Sequence, residues 1–428
     1  TGKEPNEIAY VVALGIDSTD DDNYKITIQY ANTTQISGGA SESGGKAGSE
    51  IVDNVTIEAP NIYAGVGLAN NIVSKSFSMS HAKLIVFSKE IAEKGVKDMI
   101  ETLVRSEEIR PDVFIAVANT TANDYLTSVN PEMEVNPAQY YQLIYQKNQL
   151  VGIPDGQLRE FFTGLYTDNY DSILPVAGVI EGAGGNSQND DKGQSKDGQN
   201  EGSEGSSESL DSFESKSSDD KDENEKEKDA EKNTSKYEYD IKNYVGGETA
   251  IEKKNKAEAI GAAVFEKDKM VGELGEVETE ICKILKGDYT YSYLTYYNND
   301  TPDIPITVKT TQQKKPKYKI DTDKKTVDIE LYIESDLYSL PADYNVENKI
   351  EDFERDVANY TSSTCTKFIN NFTKKYNSDI LKLNEKVKYK FLTNNQYNWF
   401  KKNVGWSEYK FSVCTNFKVR RTGLIVRE

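Results

Sequence analysis

The sequence predicts a mixed α+β protein of three domains, each a mixed or antiparallel sheet flanked by helices, with a long helix lying across a C-terminal meander. Three observations carry this. Strand-type and helix-type apolar patterns alternate from the start of the chain to about residue 180. A strongly acidic stretch with few large apolar residues then interrupts the chain at about 182–242. Beyond it, a helical apolar repeat over 345–376 is followed by strict alternation over 409–419. The implied division is 1–132, an N-terminal α/β domain; 133–274, a middle domain carrying the acidic insert; and 275–428, an antiparallel sheet with the long helix. A chain of 428 residues with 36% hydrophobic content supports two or three such cores but not one.

The first segment opens with a near-continuous apolar run, 8–16, which suits a buried strand. Tyr24, Ile26, Ile28 and Tyr30 then alternate with polar residues as a half-buried strand. Residues 37–49 are Gly- and Ser-rich and read as a loop. A short strand at 51–57 precedes a helix that Asn61 can cap, with Ile62, Val66, Ala69 and Ile72 on one side. A strand is expected at 81–87 and helices at 90–94 and 96–105, broken at Gly95. A strand at 113–118 and a short helix at 121–126 follow.

The middle segment carries a helix marked by Tyr141, Leu143 and Ile144, a second marked by Leu158, Phe161, Phe162 and Leu165, and a strand at 172–180. Leu210 and Phe213 are among the few large apolar residues of the insert. Its burial cannot offset the entropy of ordering, which predicts disorder. Order resumes with a hairpin, 259–265 and 270–274, turning at Lys267-Asp268-Lys269.

In the third segment a helix at 276–285 stops at Gly287. Strands are expected at 289–297, 304–311, 318–321 and 327–334. The long helix over 345–376 carries Ile350, Phe353, Val357, Tyr360, Cys365, Phe368 and Phe372, and shorter helices are expected at 379–383 and 396–402. The last strand, 409–419, puts Phe411, Val413, Thr415, Phe417 and Val419 on one face.

Composition narrows the function. A net charge of −20 repels phosphate, which excludes nucleic acid as a partner. Tyr is abundant, 27 against 14 Phe and 2 Trp, which suits half-buried sheets and contact surfaces. Cys282, Cys365 and Cys414 have no motif spacing and read as small buried hydrophobes, with pairing of two of them left open. His81, the sole histidine, reads as a structural residue inside its strand; one histidine excludes a His-based triad or a multi-His zinc site.

The motif matches fail on position. The Gly39 to Ala47 stretch has Ala40 where a phosphate loop needs glycine and Ala47 where it needs Ser or Thr. Gly65-Val66-Gly67 lies within a helix, with Asn70 at the third glycine position of a dinucleotide fingerprint. Ser80 and Lys83 match a penicillin-binding spacing, but in a strand they face opposite ways. Asp20-Asp21-Asp22 and Asp219-Asp220 read as solvated loop charge, and an EF-hand pattern is absent. Lys314-Lys315 and Arg420-Arg421 read as solvated basic faces, with contact to anionic headgroups as the alternative. No residue is assigned a catalytic, cofactor-binding or metal-binding role.

Several strings, in order along the chain, resemble the Ger(x)C family of spore germination lipoproteins. They are Glu7-Ile8 with Ala13-Leu14-Gly15-Ile16-Asp17, Gln29-Tyr30-Ala31-Asn32, Ser80-His81-Ala82-Lys83-Leu84-Ile85-Val86, Ala92-Glu93-Lys94-Gly95, Arg105 with Glu108-Ile109-Arg110, and Leu174-Pro175. Gly261-Ala262-Ala263-Val264-Phe265, Asp268-Lys269, Gly272, Ser378-Asp379-Ile380, Trp406 and Arg421-Thr422-Gly423 complete the series. Leu383-Asn384 departs from it, standing where the family pattern leads one to expect a glycine-containing turn.

The resemblance implies three α/β domains and no enzyme activity. It implies the C subunit of a nutrient germinant receptor, acting with two integral-membrane partners, the A and B subunits. The protein would sit on the outer face of the spore inner membrane, held by an acylated cysteine. The start at Thr1-Gly2-Lys3 without Met leads us to expect that cysteine directly before Thr1. The leading reading is therefore a scaffold or coupling subunit. The alternatives are a lipoprotein that holds a small-molecule germinant in a cleft, and a cell-envelope hydrolase using paired carboxylates.

Deleting residues 182–242 is expected to leave folding intact, because loop length costs only about 0.6 kcal/mol per doubling. Thermal unfolding of the deletion variant checks this, and a large drop in Tm would show the insert to be structural.

Overall fold

The computed structural model describes residues 7–21, 23–31, 52–130, 137–146, 152–180, 243–249, 255–297, 305–339, 349–376 and 378–421. The 37–49 loop, the acidic insert, and the 345–348 start of the long helical pattern lie outside them. The described residues belong to one compact unit.

Two sheets organise that unit. The first has nine strands: β1 (Ile8–Ser18), β2 (Tyr24–Ala31), β3 (Val52–Ala59), β4 (Ser76–Ser78), β5 (Leu84–Ser88), β6 (Phe114–Ala118), β7 (Ile173–Val179), β8 (Ala257–Glu266) and β9 (Lys269–Leu274). Their order is β3-β2-β1-β5-β6-β7-β8-β9, with β4 beside β1. The centre, β1, β5, β6 and β7, is parallel, and the outer pairs on both sides are antiparallel. Parallel neighbours need crossovers. Helices α1 (Ile62–Ile72), α2 (Lys89–Lys94), α3 (Lys97–Val104), α4 (Ala122–Ser128), α5 (Pro137–Gln146) and α6 (Leu158–Thr167) lie in the connections. The sheet runs through the sequence boundary at 132/133, while 274/275 falls between the two sheets.

Local chemistry explains the element ends. The Asn61 side chain accepts the Ala64 N–H at 2.9 Å and starts α1, as its sequence position suggests. Ile62, Val66 and Ala69 of that helix are buried; Ile72, expected on the same side, is exposed. Beside β7, Gly178 lets the returning 243–249 segment approach so closely that a Cβ there would stand 2.0 Å from the Gly246 carbonyl carbon.

The second sheet contains β10 (Tyr291–Tyr297), β11 (Pro305–Gln312), β12 (Lys317–Asp321), β13 (Thr326–Ser339) and β14 (Lys410–Arg421). It is joined to the first by α7 (Glu276–Lys286), which Gly287 ends at φ +81°. The 26-residue helix α8 (Ile350–Lys375) packs on β14, with Phe353, Val357, Cys365, Ile369 and Phe372 buried. The alternation in β14 is as expected: Phe411, Val413, Thr415 and Phe417 face inward.

Four local expectations are corrected. The C-terminal sheet is not wholly antiparallel, because β14 pairs with β13 in parallel; α8 is the crossover that a parallel return requires. Cys414 is exposed, since it falls on the outward positions of β14, while Cys282 and Cys365 are buried; all three thiols are free. His81 and Lys83 precede β5 instead of lying in it, and Ser80 and His81 form a turn after the unforeseen short strand β4. The helix expected at 379–383 begins only at Leu383: α9 is Leu383–Val387, and α10 is Asn394–Asn403.

Truncating Phe353, which is fully buried between helix and sheet, is expected to cost about 3–5 kcal/mol as Phe353→Ala. Cys414→Ser on the exposed face should stay within about 0.5 kcal/mol. Urea denaturation of both variants tests the assignment of faces.

Candidate functional site

The segment following α8 folds back onto the first sheet, and a polar joint forms there. Asp171 leads into β7 and Asp379 precedes α9. The Asp171 carboxylate accepts the Lys267 N–H and, through its other oxygen, the Asp379 N–H, each at 2.8 Å. The Asp171 N–H donates in return to the Asp379 carbonyl at 3.2 Å. The Asp379 carboxylate accepts the N–H groups of Leu383 and Asn384, each at 2.8 Å, and so satisfies the open end of α9. Lys382, just before that helix, sits in the left-handed region at φ +57°. The left-handed residue thus directly precedes Leu383-Asn384, the pair that stands where the resemblance led us to expect a glycine-containing turn.

Around this joint lie longer side chains. The Lys382 ammonium pairs with Glu160 of α6 at 2.5 Å and stands 4.2 Å over the Tyr170 ring. The Tyr397 hydroxyl lies 3.0 Å from Asn169 Oδ1 and 3.1 Å from the Asn384 carbonyl. Trp406 donates its indole N–H to Asn384 Oδ1 at 3.3 Å, and Lys401 donates to the Thr167 carbonyl at 2.9 Å. Between them opens a cleft of about 450 Å³, lined by Asp168, Tyr170, Lys267, Asn398, Lys402 and Trp406 among others.

Burial pushes the Asp379 carboxyl up to about 7, against the N–H groups of Asn384 and Leu383 that favour the charged form. Asp171 is raised as well, burial again outweighing its two N–H donors. A pair of carboxylates with raised pKa in one cleft is what the hydrolase alternative requires. Here each of the four oxygens also accepts a backbone N–H, so the pair serves as a structural joint between the two segments. Farther along, burial raises Glu280 to about 7 and lowers Lys283 to about 8 on α7. Lys283 donates to the Ile153 carbonyl at 3.1 Å, tying α7 to the middle segment.

The residues singled out in the sequence fall elsewhere. His81 packs edge-on against the Tyr10 ring at 4.8 Å. The Ser80 hydroxyl is 2.9 Å from that of Ser78. Gly65 and Gly67 lie in α1, and Asn70 accepts the Phe77 N–H at 2.8 Å. Lys314 stands 5.3 Å over the Tyr332 ring, and Arg420 pairs with Glu334 at 2.5 Å. Among the described residues, no three His, Cys, Asp or Glu side chains are grouped to hold a metal ion. Sequence reasoning missed the Asp171–Asp379 joint. The one signal was an Asp lying four and five positions before the first N–H groups of a short helix.

Because the folded chain holds the Asp379 proton more tightly than the unfolded chain, this group contributes stability below the ordinary value of 3.8 and loses it as pH rises through about 7. The slope from this group is at most about 1.4 kcal/mol per pH unit. Asp379→Asn should lack that component and should lose about 1–3 kcal/mol at low pH, since its amide cannot accept both N–H groups. Denaturation of both proteins from pH 4 to 8 is the check: their stability gap is expected to narrow as pH rises.

Comparison with known proteins places the architecture. Residues 2–179 match the family model described as spore germination protein N-terminal domain, and residues 260–423 match spore germination B3/GerAC like, C-terminal. Spore germination protein KC of Bacillus subtilis (strain 168) is 27% identical over 155 residues, 33% of this chain and 38% of that protein. Spore germination protein GerQC of Bacillus cereus is 27% identical over 104 residues, 24% of this chain and 29% of that one. These alignments therefore span less than two fifths of either relative's length. The crystal structure of the GerBC protein superposes with a TM-score of 0.50 at 14% identity, covering 95% of this chain and 96% of that one, a likeness of fold. Matched by one model over residues 2–179 and by another over 260–423, which together cover most of the chain, it belongs to the Ger(x)C (GerAC) family of spore germination proteins.

Proposed function

We propose that this protein is the C subunit of a nutrient germinant receptor and works by docking, as a non-enzymatic scaffold that couples the two integral-membrane A and B subunits. In this reading it is a lipoprotein on the outer face of the spore inner membrane. Family membership supports the receptor role. The observation that favours docking is a row of tyrosines on β10 and β13. Tyr293 and Tyr338 are 54% and 60% exposed, and their rings meet edge-to-face at 5.5 Å. Tyr291 joins the row at 6.4 Å from Tyr293, with the Lys309 ammonium 4.4 Å over its ring. Tyr is enriched at interface hot spots because it brings large apolar area and a polar tip at low entropic cost.

A second reading is a subunit that holds a small polar germinant in the 450 Å³ cleft, where Asp168, Lys267, Asn398 and Lys402 converge. It predicts that small polar germinants raise the Tm of the purified chain and that Lys402→Ala abolishes the rise.

Pull-down from spore inner membrane with the tagged chain is expected to recover both membrane subunits. Tyr293→Ala with Tyr338→Ala should cut recovery by an amount equivalent to about 1–2 kcal/mol. Failure to recover either subunit, or turnover of a metabolite by the purified chain that a single side-chain change abolishes, would overturn the scaffold reading.

A further inference from the structure

Residues 383–403, spanning α9 and α10, stand apart electrostatically. They carry five lysines (386, 388, 390, 401 and 402) against one carboxylate, Glu385, in a chain whose net charge is −20. Within this stretch three large apolar side chains face water: Tyr389 at 78%, Leu392 at 95% and Trp399 at 68% exposure. A singly exposed Leu needs no explanation, but three such groups within eleven positions, set among lysines, do.

The segment beneath them is packed. The Phe391 ring lies 5.9 Å from Tyr397 and 4.9 Å from Phe400; Phe400 lies 6.1 Å from Trp406, which lies 4.7 Å from Tyr409. Thr393 caps α10 by accepting the Gln396 N–H at 3.3 Å. The exposed groups thus project from a supported base. Leu392 immediately precedes that cap, where an apolar residue ordinarily folds back on the helix, yet here it remains in solvent. Tyr389, Leu392, Lys388, Asn394 and Tyr397 also border an open hollow of about 480 Å³.

We propose that this surface is a peripheral contact for an anionic phospholipid bilayer, with Leu392 entering the acyl boundary, Trp399 and Tyr389 at headgroup level, and Lys388 and Lys402 facing the phosphates. The chemistry matches part by part. Leu prefers hydrocarbon, amphipathic Trp and Tyr rings prefer the interface, and lysine stems reach out from an apolar surface with their ammoniums in water. Lys388, Lys390 and Lys402 are exposed. Lys390 is tied to the Ile320 carbonyl beside Asp321, so Lys388 and Lys402 carry most of the attraction. The local excess of positive charge is complementary to an anionic surface, whereas a two-fold contact of this patch with its own copy would set lysines against lysines. The inference rests on this surface alone and stands whether or not the tyrosine row docks receptor subunits.

Flotation of the full chain with vesicles of equal parts phosphatidylglycerol and phosphatidylcholine tests it. Binding is expected at low salt, weakened by added salt and absent on phosphatidylcholine alone. Leu392→Asn should reduce it about ten-fold, and Lys388→Glu with Lys402→Glu at least twenty-five-fold, at about five-fold per lysine lost. The chain has 2 Trp, and Trp406 is buried, so a blue shift of emission on vesicles that Trp399→Phe removes reports the insertion of Trp399. Each changed side chain is exposed, so unaltered urea denaturation of the variants separates lost binding from lost folding. Failure to float with the anionic vesicles, or flotation indifferent to these substitutions, overturns the proposal. So does a concentration-dependent dimer that Leu392→Asn dissolves, or capture of a membrane subunit in detergent that Leu392→Asn alone abolishes while flotation persists; these outcomes assign the surface to a second copy or to a protein partner.

Discussion

Strand β8 holds the molecule together by serving two cores at once. Its side chains alternate between faces, as the pleat requires. Ala262 and Val264 pack with Cys282, Phe353 and Phe411 of the C-terminal half. Ala263 and Phe265 pack with Ile115, Phe161 and the N-terminal strands. A strand buried on both sides cannot slip by one residue without exchanging the two sets, so its register fixes the first sheet against the second. The polar contacts then finish the joint. Ser378 donates to the Phe265 carbonyl at 2.8 Å, and Asp171 and Asp379 bind each other's backbone next to it. Apolar burial brings the halves together, and the carboxylates determine how they meet, since a misplaced partner would leave a buried charge without its N–H donors.

Much of this was legible because it is local. The cap at Asn61, the stop at Gly287, the period of α8 and the inward face of β14 follow from residues a few positions apart. The exposure of Cys414 was legible too: if Phe411, Val413 and Thr415 face inward, position 414 faces out, and the general tendency of cysteine to be buried concealed it. What the sequence withholds is pairing at long range. Nothing in 114–118 announces that β6 meets β7. The parallel setting of β14 depends on where α8 delivers the chain, which no window of residues encodes.

The candidate site was less legible than the fold for the same reason. Asp171 and Asp379 are 208 positions apart, and the Ser378-Asp379-Ile380 string that the sequence singles out says nothing of its partner. Their raised pKa values come from burial by the packed halves, so the perturbation exists only after folding. Perturbed carboxylates in a cleft ordinarily point toward chemistry; here every oxygen also accepts a main-chain N–H, which gives the pair a structural role. The main-chain donors on these oxygens fix both carboxylates at the joint and hold the start of α9 to it.

The same accounting connects the joint to the surfaces. The turn that Asp379 and Lys382 hold directs α9, and α9 leads through the aromatic base of Phe391, Tyr397 and Phe400 to the lysine-bordered apolar surface. The tyrosine row runs from β10, the edge strand remote from β14, to the end of β13 beyond its pairing with β14. Both surfaces are therefore carried by one rigidly packed half, and that half is keyed to the first sheet through β8. The buried carboxylates serve an internal joint, and the exposed aromatics are mounted on helices and strands of that packed half. Under the proposed scaffold role, such mounting lowers the entropic cost of each contact.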